Sequence, residues 1–132
     1  MSPGSASDAA SLSELQLDIM RVLWTRGACT TTEVTEALRA ERNLAHTTVS
    51  TLLTRLEKRG VVAASRDGRQ LIYRAAIEEA QVRRSMVSGL LDSLFGGDAQ
   101  ALVAHLVRED EIAAEDLAAV RELLARRKAD RS

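Results

Sequence analysis

A chain of 132 residues has room for one or at most two small domains. Hydrophobic residues make up 45% and charged residues 28%, the balance of an ordinary globular protein, while aromatics are only 2%, which argues against a binder that stacks single-stranded bases on aromatic platforms and against an aromatic-lined small-molecule pocket. The formal net charge of -1 carries no signature of a nucleic-acid partner, yet it is unevenly spread: residues 42–74 hold seven Lys/Arg against two Asp/Glu, whereas 78–132 hold eight against eleven.

Residues 1–11 lack both a basic segment and an apolar stretch, so they read as a flexible tail and not as a secretory signal. No apolar run approaches the roughly 20 residues that span a bilayer, so membrane insertion is not expected. Cys29 is the sole cysteine, which excludes an internal disulfide and every multi-thiolate metal site and fits a reducing cytoplasm. Two readings of Cys29 stand side by side: an inert thiol, or an oxidant sensor activated by the helix start that follows it.

The first periodic segment opens at Ser13, where Ser-Glu-Leu-Gln matches a capping box. Leu15, Ile19, Val22 and Leu23 then share one helical face, with Trp24 as a further core residue, and Gly27 marks the stop. Thr30 and Glu33 form a second capping box and start a short helix with Val34, Ala37 and Leu38 together. The apolar pattern lapses around Arg42 and Asn43, which indicates a turn.

The third helix, about 46–59, is the most informative. Val49, Leu52, Leu53 and Leu56 centre on one face, and Thr47, Thr51, Thr54, Arg55 and Lys58 cluster on the other, without a carboxylate. Threonine is a mediocre helix former, so local propensity does not explain this face. After Gly60 an extended run begins at Val61, Ser65-Arg66-Asp67-Gly68 supplies a tight turn, and Leu71, Ile72 and Tyr73 return. Three helices followed by a two-stranded hairpin, with Arg66 and Arg69 at its tip and Arg74 at its base, is the order of a winged helix-turn-helix.

Beyond Ile77 the chain is helical again. Val82, Met86, Leu90 and Leu94 recur every four residues until Gly96-Gly97. Asp98 then caps a helix of about 98–109 bearing Leu102, Val103, Leu106 and Val107, and a last helix of about 114–129 carries Leu117, Val120 and Leu124 at 3-4 spacing. Three helices in 55 residues bury little by themselves. The expected architecture is therefore mainly α with a small β-hairpin: a winged helix-turn-helix domain over 12–77 and a helical dimerisation region over 78–132, joined to a second copy through Leu90, Leu94, Leu102, Leu106, Leu117, Val120 and Leu124.

In a helix-turn-helix the second helix of the pair enters the major groove. Threonine suits a thymine methyl or a phosphate, Arg55 and Lys58 suit phosphate, and His46, Thr47 and Thr48 lie where the positive end of the helix dipole also acts. Arg66 and Arg69 on the wing meet the DNA backbone first. A solvated helix face and an interaction module that never engages DNA are the bland alternatives, supported by the near-neutral charge. No nucleophile, Gly-rich phosphate loop or paired-carboxylate motif stands out, and His46 and His105 are too isolated for a metal site, so neither enzyme, cofactor nor metal is expected.

The stretch from Leu15 to Tyr73, with Glu-Leu-Gln-Leu-Asp-Ile-Met-Arg-Val-Leu-Trp, Leu44-Ala45-His46-Thr47-Thr48-Val49 and Thr54-Arg55-Leu56-Glu57-Lys58-Arg59-Gly60, resembles the BlaI/MecI/CopY family of penicillinase repressors. Ala101-Leu102-Val103-Ala104-His105-Leu106-Val107, followed by acidic residues, is similar to its BlaI/MecI branch. The resemblance implies a homodimeric transcriptional repressor on a palindromic double-stranded operator, with His46, Thr47, Thr48, Ser50, Thr51 and Arg55 at the positions of the recognition helix. It also implies release through a membrane-bound BlaR/MecR-type sensor peptidase or a downstream protease that cuts the dimerisation domain. The bond cleaved in the staphylococcal repressors is Asn-Phe, whereas His105-Leu106 stands at the matching position here, so that specificity does not carry over. A ligand between the helical half and the wing is the other mode of release. The CopY branch binds metal through a C-terminal Cys-x-Cys pair, and no cysteine follows residue 29.

Overall fold

The computed structural model describes residues 12–131; the tail expected over 1–11 lies outside them. Among the described residues, six helices and three strands follow in the order α1 (Glu14–Arg26), β1 (Cys29–Thr30), α2 (Thr31–Leu38), α3 (His46–Lys58), β2 (Val62–Asp67), β3 (Gln70–Ala75), α4 (Glu79–Phe95), α5 (Ala99–Arg108) and α6 (Ala114–Arg131). Two compact units result, one through Gly89 and one from Leu90.

Helix starts follow the capping chemistry closely. Ser13 accepts from the Gln16 amide while the Gln16 side chain accepts from the Ser13 amide, and Thr30 and Glu33 do the same for α2. The amide and hydroxyl of Thr30 hold the Glu33 carboxyl below its ordinary range. A lowered folded-state value means that this box contributes stability above the ordinary carboxylate range and loses it as pH falls through the lowered value. Gly27 ends α1 with φ 84°, a conformation that costs glycine little.

The core of the first unit gathers Ile19, Met20 and Leu23 of α1, Val34 and Leu38 of α2, Val49, Leu53 and Leu56 of α3, and Val61, Val62 and Tyr73 around the hairpin. Met20 takes the fully buried place that periodicity gave to Leu15; Leu15, Val22 and Leu52 are only half-buried. Trp24 packs against this core, and its Nε1 donates to the Ile77 carbonyl at 2.9 Å, tying α1 to the segment after the wing. Ile77 and Val82 are buried and Met86 packs beside them, so the compact unit runs past residue 77 into α4.

The sheet is three-stranded and antiparallel, ordered β1-β3-β2. Cys29 and Thr30 add a short edge beside Tyr73 and Ile72 that periodicity could not announce. The hairpin turn also differs from the expected Ser65–Gly68. Ser65 and Arg66 stay on the ladder opposite Ile72 and Leu71, Asp67 pairs with Gln70, and the turn is Gly68-Arg69. Gly68 has φ 65°, so the left-handed residue occupies the first central position and the tip moves towards Arg69.

A charged cluster fixes the helix-turn-helix corner. Asp18 of α1 accepts from Arg42 Nε at 2.6 Å and from Arg21 Nη1 at 3.0 Å, with only 13% of its side chain exposed. Arg42 sits in the turn before α3, so this contact spans 24 residues of sequence. Asp18→Asn is expected to lower stability by about 1–2 kcal/mol, because it removes the charge from a sheltered, doubly bonded acceptor; urea unfolding followed by circular dichroism measures it.

In the second unit α4 ends at two glycines of positive φ, Gly96 at 56° and Gly97 at 82°, and the Gly97 amide donates to the Leu91 carbonyl at 3.0 Å. Asp98 caps α5 by accepting from the Ala101 amide, as its position after the glycines led us to expect. No described residue of α5 or α6 is buried.

Candidate nucleic-acid interface

Helix α3 presents the expected faces. Val49, Leu53 and Leu56 are buried, while His46, Thr47, Thr48, Thr51, Thr54, Arg55 and Lys58 are exposed and Ser50 is half-buried. The start of α3 contrasts with those of α1, α2 and α5. Its N-cap is Ala45, which offers no side-chain acceptor, so the first-turn amides remain available to an external anion at the positive end of the helix dipole.

The threonines are chemically more defined than their residue type indicates. Thr51 Oγ1 donates to the Thr47 carbonyl and Thr54 Oγ1 to the Ser50 carbonyl, both at 2.9 Å. With the hydroxyl protons committed inside the helix, these two side chains offer a methyl group and an acceptor lone pair outward. That combination suits thymine methyls and exocyclic amines in the major groove better than it suits phosphate oxygens.

The wing stands beside this face. A cleft of about 220 Å³ is lined by Thr30, Thr31 and Thr32 at the start of α2, His46 at the start of α3, and Arg69, Gln70 and Leu71 of the hairpin. It brings together two helix N-termini and the wing tip. Thr31, Thr32 and Gln70 were not singled out from the sequence; a capping box at Thr30 announces a helix start but not what that start faces.

Ion pairs engage only part of the cationic surface. Arg21, Arg39 and Arg42 pair with Asp18, Glu36 and Asp18 respectively. Among the described residues, the side chains of Arg55, Lys58, Arg66 and Arg69 make no ion pair. Exposed cations that make no ion pair along a helix face and hairpin have the charge that phosphate binding needs.

Cys29 is buried, 2% exposed, with its Sγ–H directed at the Gly27 carbonyl. Burial foremost, then the Glu33 carboxylate, pushes its thiol above the ordinary range against a smaller opposing effect of Arg26. The oxidant-sensor reading fails on both counts, since reactivity needs an accessible thiolate. Native protein is expected to resist iodoacetamide at neutral pH and to be alkylated on Cys29 only after denaturation, as mass spectrometry can show. Among the described residues no group of three or more His, Cys, Asp or Glu is placed to hold a metal ion, and no helix is long and apolar enough to cross a membrane.

A three-helix core, a winged hairpin and an unpaired cationic Thr/Arg face define a winged-helix DNA-binding protein. The family model described as penicillinase repressor matches residues 12–126, and the chain belongs to that family. It is 22% identical over 119 residues to the penicillinase repressor of Staphylococcus aureus, covering 90% of this chain and 94% of that one. With the penicillinase repressor of Bacillus licheniformis it shares 24% identity over 117 residues, covering 89% and 91%. The solution structure of the DNA-binding domain of the repressor BlaI superposes with a TM-score of 0.50 at 29% identity, over 55% of this chain and 89% of that one. The chain is thus a DNA-binding transcriptional repressor, of a family of regulators and not of enzymes.

Proposed function

We propose that the protein represses transcription in the cytoplasm as a homodimer on a palindromic operator, with one α3 in each of two major-groove half-sites. The unpaired cationic face of α3 and the wing is the observation that carries this reading. Thr47, Thr48, Ser50, Thr51 and Arg55 face the base edges, while His46, Lys58, Arg66 and Arg69 hold the backbone on either side. Immunoprecipitation of bound chromatin tests the function: occupancy at a few dyad-containing promoters supports it, whereas no occupancy favours a protein-interaction module.

The wing supplies a separable check. Arg66→Ala and Arg69→Ala are each expected to weaken binding evenly across sequences and to reduce the salt slope of log K by about 2, since each removes one phosphate contact per protomer. Fluorescence anisotropy across a salt series measures that slope. A change confined to one base pair would mean that these arginines read sequence instead.

The second copy is inferred from surface left uncovered. Leu94 is 71% exposed, Leu124 58%, and Leu90 and Val120 are exposed as well, while Leu102, Leu106 and Leu117 are half-buried. Large apolar side chains at helical spacing fit a self-complementary interface. For release, a sensor peptidase or downstream protease would act at His105-Leu106. Both residues lie within α5, where His105 also packs on Phe95 with ring centroids 5.9 Å apart. Cleavage there needs local unwinding of α5, so its rate would rise with the helix's opening equilibrium.

A further inference from the structure

A cavity of about 310 Å³ opens between α1 and the first half of α4, wholly inside the first compact unit. Leu17, Trp24, Val82, Met86 and Val87 form its apolar wall, the guanidinium groups of Arg21 and Arg83 stand exposed at its edge, and the Glu79 carboxylate lines it beside Arg83. None of these residues belongs to α3 or the wing, so the cavity is separate from the DNA-reading face.

Its size lies at the small end of the range for small-molecule sites, about 300–1,000 Å³. The indole is held in place, because its Nε1 already donates to the Ile77 carbonyl, and so it offers a fixed ring surface to an apolar body. At the edge Arg21 is held by Asp18, and Arg83 meets Glu79 at 3.8 Å through one nitrogen. Each guanidinium has five N–H donors, so both retain donors for a further acceptor. An apolar slot with one fixed aromatic wall, and with two forked cations at its mouth against the single carboxylate of Glu79, suits a small molecule with an aromatic body and an anionic end.

We propose that this cavity binds a small aromatic carboxylate, its ring against Trp24 and its carboxylate accepting from Arg21 and Arg83. Such a ligand would bridge the first helix of the DNA-binding unit and α4, which continues into the second unit. One tryptophan is enough for this purpose, so the scarcity of aromatics does not oppose it.

The full-length protein can be titrated with 3-phenylpropionate, read by calorimetry and by the emission of Trp24, the only tryptophan of the chain. The expected result is a saturable heat and emission change. The neutral analogue 3-phenylpropanol should bind about fivefold more weakly or worse, and Arg83→Gln and Arg21→Gln should each weaken 3-phenylpropionate by about three- to fivefold, the range of exposed charge contacts. Circular dichroism confirms that both variants remain folded, and Arg83→Gln leaves the Asp18 cluster intact. No saturable signal overturns the proposal, as does equal binding of the alcohol or indifference to both substitutions. Emission that responds to protein dilution and not to 3-phenylpropionate would assign the cavity to a second copy and likewise overturn it.

Discussion

Leu94→Asp combined with Leu124→Asp is expected to yield a folded monomer whose operator affinity is lower by about a hundredfold or more. Both side chains are more than half exposed in the single chain, so the substitutions remove no packing from the winged-helix unit. Against a second copy, however, each carboxylate would enter an apolar seam and lose its hydration, which the contact cannot repay without a paired cation. Once the copies separate, the second half-site no longer binds at the high effective concentration set by the first, and avidity of this kind amounts to about 10²–10⁴. Analytical ultracentrifugation gives the oligomeric state and anisotropy the affinity. A double variant that stays dimeric would move the interface away from these residues.

Arg55→Ala with Thr51→Ala should be the more selective lesion. Each base contact contributes about 1–3 kcal/mol, and a dimer makes each contact twice, so loss of both side chains should weaken specific binding by about three orders of magnitude or more. Nonspecific binding should change far less, since Lys58, Arg66 and Arg69 remain. The stability cost is small because both side chains are exposed and Thr51 spends its hydroxyl on its own helix. Competition gel shifts against random duplex separate the two effects: specific and nonspecific affinity falling together would place these residues on the backbone and not on the bases.

Local chemistry made much of this legible in the sequence. The boxes at Ser13 and Thr30 and the cap at Asp98 begin helices through contacts three residues long, so spacing alone reveals them. The two faces of α3 are equally local, a matter of 100° per residue. What sequence reasoning missed depends on contacts distant along the chain. The strand at Cys29-Thr30 exists because Tyr73 and Ile72 lie beside it, and Asp18 is tied to Arg42 across the helix-turn-helix corner. Met20 displaces Leu15 from full burial because three other elements, not the helix alone, decide which part of α1 is covered. The hairpin turn departs from the Asp-Gly pattern for a subtler reason: Asp-Gly favours positive φ at both residues, but here only Gly68 adopts it and Arg69 completes the tip.

Residue types mark the candidate interface, and geometry sharpens its chemistry. Sequence could show that 42–74 is rich in Lys/Arg; it could not show which cations are already neutralised. Arg42 is spent on Asp18, whereas Arg55, Lys58, Arg66 and Arg69 make no ion pair among the described residues. The near-neutral total therefore conceals a surface whose positive charge is concentrated where a duplex would lie.

Selection from a pool of random duplexes tests the central claim most directly. Wild-type protein is expected to enrich a single dyad with two half-sites about one helical turn apart or a multiple of it, and the Thr51→Ala/Arg55→Ala variant to lose that enrichment while still retaining duplex at low salt. Failure of the wild type to enrich any sequence, at low or physiological salt, would contradict sequence-specific repression through α3.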